Sequence, residues 1–107
     1  MRDKNNERSN ITNVTERELE LLERHLEILM TVKEQGPIGI IRLSSIIRQP
    51  QHMIRYSLRA LEKGGLIAPS THGAIKTDRV KESLDAINTS LDNISDTVMN
   101  LKKKICD

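Results

Sequence analysis

Apolar residues recur at helical spacing along most of this chain, interrupted only around residues 37–40 and 66–76. Thr15-Glu16-Arg17-Glu18 has the form of a capping box, in which hydroxyl and carboxylate satisfy free N–H groups of a first turn. It predicts a helix from Thr15 to about Gln35, ended by Gly36-Pro37. Leu19, Leu22, Leu26, Leu29 and Met30 form one stripe on this helix. Leu21, Ile28 and Val32 form a second, turned by about 100° on a helical wheel. Two stripes imply two buried sides: one in the domain core, the other against a further helix or subunit.

Pro37-Ile38-Gly39-Ile40 is too short for a helix and reads as a minimal strand. A short helix over 41–48 follows, with Leu43, Ile46 and Ile47 inward. Pro50 disfavours helical geometry at Gln49 yet suits the start of a helix, so the next one is expected over 50–63. Ile54, Leu58 and Leu61 mark its inner face. Leu66-Ile67-Ala68 and Ala74-Ile75-Lys76 read as two short strands joined by Pro69-Ser70-Thr71-His72-Gly73.

From Thr77, capped by Thr77 or Asp78, the last helix is expected to reach Ile105. Val80, Leu84, Ile87, Leu91, Ile94, Val98, Leu101 and Ile105 alternate spacings of four and three without a break. Such a seam is the mark of a coiled coil and predicts a homodimer held through this helix, with packing on its own domain as the alternative. Acids (Asp78, Glu82, Asp85) open the helix and Lys102-Lys103-Lys104 closes it. Antiparallel pairing sets lysines against acids, whereas parallel pairing gathers six lysines, so the antiparallel arrangement is favoured.

Charge now changes the picture. The whole chain carries only +2, but residues 36–76 hold Arg42, Arg48, Arg55, Arg59, Lys63 and Lys76 against the single acid Glu62. Concentrated positive charge is the footprint of a polyanion-binding surface. On the outer face of the helix at 50–63, His52, Arg55, Tyr56, Arg59 and Lys63 fall within about 100° of one another, with Gln51 at the boundary. A helix with an apolar back and this front suits a DNA major groove, where Arg pairs with guanine edges and Gln with adenine. Base contacts are expected from Gln51, His52, Arg55 and Arg59. Phosphate contacts are expected from Arg42, Arg48, Lys63 and Lys76, aided by Ser44 and by His72 at the hairpin. Tyr56 either stacks on a sugar, bonds a phosphate or leans on the domain surface. The first helix, with six Glu against Arg17, Arg24 and Lys33, is a poor candidate for the DNA face.

The order helix, short strand, helix, turn, helix, hairpin resembles the winged helix-turn-helix domain. So does the wording from Met53 to Ile67, MIRYSLRALEKGGLI, which is similar to the third helix and first wing strand of many prokaryotic transcription regulators. The resemblance covers residues 15–77. It implies a recognition helix at 50–63 and a wing at 66–76; the wing is short and carries only Lys76, unlike the long basic wings of that family. Small archaeal winged-helix proteins with coiled-coil tails are similar in plan. The fold expected is thus mainly α with a small β-hairpin wing and a long C-terminal helix. Its divisions are a disordered tail at 1–14, a DNA-binding domain at 15–77 and a dimerisation helix at 78–107.

The expected partners are double-stranded DNA and a second copy of the chain. Transcription regulation leads; sequence-tolerant architectural DNA binding and a winged-helix protein-interaction module are the alternatives. No triad, Gly-rich phosphate loop or clustered acid pair points to catalysis. His25, His52 and His72 are scattered, so no metal and no cofactor is expected. No residue demands a small-molecule effector. The single cysteine, Cys106, excludes an intramolecular disulfide and fits a cytoplasmic, nucleoid-associated protein. No apolar run approaches ~18 residues, so no membrane span is expected.

Overall fold

The computed structural model describes residues 9–106. It is mainly helical, with one two-stranded antiparallel hairpin and a long C-terminal helix. In chain order the elements are α1 (Asn13–Gln35), α2 (Ile40–Ile47), α3 (Gln51–Lys63), β1 (Ile67–Ser70), β2 (Gly73–Lys76) and α4 (Val80–Ile105). The disordered tail expected over 1–14 lies, for residues 1–8, outside the described residues.

α1 begins earlier than the capping box predicts. Its N-cap is Thr12, whose hydroxyl donates to Glu16 Oε2 at 2.9 Å and whose carbonyl accepts from Glu16 N–H at 2.9 Å. Thr15 is therefore inside the helix. The Thr12 hydroxyl thus meets the Glu16 carboxylate one turn on, and among the described residues no side chain caps the first N–H groups of α1. The two stripes do not divide cleanly between core and surface. Ile28 and Val32 of the second stripe, with Leu29, enter the core; Leu19 and Met30 of the first stay exposed.

The core joins five elements through aliphatic side chains: Ile28, Leu29 and Val32 of α1 meet Leu43 of α2, Ile54 and Leu61 of α3, Ile67 of β1 and Val80 of α4, while Ala74 of β2 packs at its edge. Leu58 packs against this cluster from α3. In α2, Leu43 is fully buried and Ile47 half-buried, but Ile46 is exposed, contrary to the inward position expected for it. An eight-residue helix touches the core along a narrow line, and Ile46 falls beside that line on the side facing Met30.

Ile38 forms the minimal strand expected of it. It exchanges two backbone hydrogen bonds with Ala74, donating at 3.1 Å and accepting at 2.8 Å, and so adds an antiparallel bridge to the hairpin. The hairpin pairs Ile67 with Lys76 and Ser70 with Gly73, leaving a loop of Thr71 and His72. This is shorter than the five-residue link expected. Ser70 closes it by donating its hydroxyl proton to the Gly73 carbonyl at 2.6 Å. Gly73 has φ of 126°, and a Cβ there would lie 2.5 Å from the Ile38 carbonyl. Only glycine lets the two backbones approach this closely.

Thr77 joins the two ends of the α3–hairpin unit. Its hydroxyl donates to the Gly65 carbonyl at 2.6 Å, and its N–H donates to the Leu66 carbonyl at 3.1 Å. Thr77 Oγ1 also accepts the Arg79 N–H at 3.3 Å. Arg79 is the N-cap residue of α4.

Along α4 the heptad seam splits. Val80 is 3% exposed in the domain core, and Leu84, half-buried, packs against that core. Val80 thus faces its own domain, which corrects the expectation that it faces a partner. Ile87 and Leu91 are half-buried. Beyond them exposure rises steadily, from 39% at Ile94 to 84% at Ile105. Among the described residues, no helix is long and apolar enough to cross a membrane.

Candidate nucleic-acid interface

α2 and α3 are joined by Arg48-Gln49-Pro50, a turn built from local hydrogen bonds. Arg48 takes the left-handed conformation (φ 63°) and donates its N–H to the Ser44 carbonyl at 2.9 Å. The Ser44 hydroxyl donates to the Gln49 carbonyl at 2.5 Å. Ser44 therefore fixes the turn: its proton goes to the Gln49 carbonyl, and the residue is half-buried beside exposed Arg48. Pro50 then accepts from the Met53 and Ile54 N–H groups and starts α3 with no side-chain cap.

The inner face of α3 is Ile54, Ser57 and Leu61, all buried. Its outer face presents Gln51, His52, Arg55, Tyr56, Arg59 and Lys63, all exposed. His52, Arg55, Tyr56 and Arg59 line one groove of ≈ 430 Å³, together with Met53 and Arg24. The structure thus brings four of the expected residues together. Arg42, Arg48, Gln51, Lys63, His72 and Lys76 are exposed but do not line that groove. Arg42 sits instead at the start of α2, within 3.4 Å of Gln35 Oε1.

Arg24 is the residue that the sequence reading passed over. It belongs to the acidic α1, yet its Nε donates to Ser57 Oγ at 2.9 Å. Ser57 is completely buried in the middle of α3, and His25 Nδ1 lies 2.9 Å from the same oxygen. Arg24 can only donate, so the serine's own proton is available to His25 Nδ1, which fits a neutral imidazole protonated at Nε2. Burial first, and the neighbouring Arg24 guanidinium second, hold the His25 pKa below its ordinary value. The imidazole also stacks on Tyr56, with centroids 6.2 Å apart and planes at 27°. Tyr56 thus leans on α1 while remaining 56% exposed.

Two adjacent α1 residues therefore hold α3 at the groove, both through buried Ser57 and one, His25, through groove-lining Tyr56. Arg24 adds a cation at the groove's edge, and His25 holds the Tyr56 ring in place. The signal in the sequence was a serine on the apolar side of α3, where burial calls for a hydrogen-bond partner, either its own helix or a polar side chain from another. The hairpin reaches α3 from its other flank, where Ile67, Pro69 and Ser70 come near Leu58 and Glu62. Glu62 lies on that flank and outside the cationic groove.

Among the described residues, no cluster of three or more His, Cys, Asp or Glu side chains is placed to hold a metal ion. No protein-family model matches the chain, and no curated protein matches it.

Proposed function

We propose that this chain is a dimeric double-stranded-DNA-binding protein of the winged helix-turn-helix type and acts as a transcription regulator. The observation that carries the reading is the groove on α3: His52, Arg55, Tyr56 and Arg59 are exposed together, with Arg24 beside them and no acid lining it. α3 would enter the major groove, with Arg55 and Arg59 reaching base edges and Gln51 and His52 at its leading end. Arg48 and the uncapped N–H groups of the first turn of α3 suit a phosphate, since helix N-termini favour anions. Lys63, Lys76 and His72 would hold the backbone on either side. The two-residue hairpin loop carries no cation except His72 when protonated, so wing contacts would be light.

Dimerisation would come through the unpartnered half of α4. Its 26 residues extend ~39 Å at about 1.5 Å each, comparable with the ~34–36 Å between successive major-groove faces on one side of a duplex. Two heads held on such a rod could reach two half-sites.

Selection from random duplexes at stated salt, followed by competition against bulk DNA, tests the reading. A regulator should prefer its selected site about a thousandfold or more over bulk DNA. Tight binding without such preference would favour the architectural alternative. Absence of DNA binding would reject both.

A further inference from the structure

We propose that the distal half of α4 docks into an acid-rimmed apolar trough along α1 of a second copy of this chain. The proposal rests on the dimer inferred above and names the surface that holds it.

The trough is made of two hollows that share Glu23 and Leu26. One, of ≈ 370 Å³, lies between Leu91 of α4 and Leu19, Leu22 and Leu26 of α1. The other, of ≈ 550 Å³, lies between α1 and α2 and is floored by Leu26, Met30, Ile46 and Ile47. Leu19, Met30 and Ile46 are large apolar side chains left exposed along it. Glu16, Glu20, Glu23 and Glu27 rim it from α1. Leu19, Leu22, Leu26 and Met30 belong to the first stripe of α1; its fifth member, Leu29, is buried in the core and Leu26 packs against that core.

The occupant is identified by length, character and charge. Leu19 to Met30 is twelve residues of helix, and so is Ile94 to Ile105; each is about 16 Å from first to last residue. The distal seam offers Ile94, Val98, Leu101 and Ile105, all exposed. Lys102, Lys103 and Lys104 stand among the last of these positions and match the acidic rim. The chain cannot fill its own trough. α4 is one uninterrupted helix, and Leu91 already meets the Leu19 end, so every later seam position lies past it.

Direction follows from the same contacts. Val80 joins the core with Ile28, Leu29 and Val32, while Leu91 faces Leu19 and Leu22, so α4 climbs toward the N-terminal end of α1. A second α4, antiparallel to the first, runs the opposite way and brings its three lysines to Glu23 and Glu27. The same placement sets them near Asp78 and Asp85 of the first α4. Each arm then lies between α1 and α4 of the other copy, which is a mutual exchange closed by a two-fold axis.

Full-length protein carrying Glu27→Cys, with its native Cys106, treated with a short bis-maleimide, tests this. Sedimentation of the untreated protein gives the mass independently. The expected result is a dimer that becomes covalent with Glu27→Cys and loses that cross-link when Cys106→Ser is added. Reversing the three lysines to Glu should weaken the dimer about tenfold at low salt, and Glu23→Lys with Glu27→Lys should restore it. A dimer that cross-links through Cys106 alone, with or without Glu27→Cys, would mean that the arms meet end to end. That result overturns the trough while leaving a dimeric DNA-binding protein standing. A monomeric mass overturns the trough and the dimer together. A dimer whose strength ignores the lysine reversal also rejects the charge-matched docking.

Discussion

Arg24 of α1 and Ser57 of α3 are joined by a hydrogen bond of 2.9 Å, the serine being wholly buried. This bond fixes a cation from an otherwise acidic helix at the edge of the groove proposed to face DNA. Ser57→Ala removes an oxygen that serves both Arg24 and His25. The expected cost is about 1–2 kcal/mol of folding stability by urea denaturation, as for other buried hydrogen bonds. DNA affinity should fall as well, since Arg24 loses its anchor. Arg24→Ala should leave stability less affected than Ser57→Ala and lower affinity by a similar factor.

His25 gives the fold a pH dependence whose sign can be worked out. Its pKa is lowered in the folded state, by burial and then by Arg24, so the unfolded chain binds the proton more readily. Stability should be fully present above the ordinary histidine pKa of about 6.5 and fall as the pH drops from there toward the lowered folded value. Melting temperature measured between about pH 7.5 and pH 5.5, above most carboxylate titration, should decline in the wild type. His25→Gln should flatten that decline.

Gly73 is the point where three backbone segments meet. Gly73→Ala combines an unfavourable positive φ with a Cβ placed 2.5 Å from the Ile38 carbonyl. The expected loss is about 2 kcal/mol or more. Hydrogen exchange should show early opening of the Ile38 and Ala74 amides, whose mutual bonds the new methyl group displaces.

Arg55 and Arg59 are exposed on α3, so replacing them should affect binding and not folding. Arg55→Ala and Arg59→Ala are each expected to weaken binding to a selected duplex by about 1–3 kcal/mol if they read bases. Their melting temperatures should stay close to that of the wild type. Lys63→Ala, by contrast, should weaken all sequences alike and, with one lysine lost from each of two heads, reduce the salt slope by about two units.

How much of this was legible in the sequence depends on range. Periodicity is a local property, and it placed α3 within one residue and α4 within three, because Ile54, Leu58 and Leu61 or the heptad seam can only be buried one way. Features set by contacts between distant segments were not legible. Ser57 sits on the apolar side of α3 and looked neutral until Arg24 and His25, 33 and 32 residues away in sequence, met it. Ile46 looked like core in a helix whose contact line proved too narrow for it. The seam of α4 is uniform in sequence, yet Val80 and Leu84 serve the domain while Ile94 to Ile105 stay open. Nothing in a heptad says where a helix leaves its own domain. The bond from the Ser44 hydroxyl to the Gln49 carbonyl depends on how the turn folds back, which the hydrophobic pattern does not carry.

The central claim is that the cationic face of α3 holds duplex DNA, and a titration of labelled duplex across a range of salt concentrations tests it most directly. About four phosphate-contacting cations on each of two heads predict that log affinity falls with log salt with a slope near −7, lessened when Arg48 or Lys63 is removed. No measurable association at low salt, or an association indifferent to salt and to these residues, would contradict it.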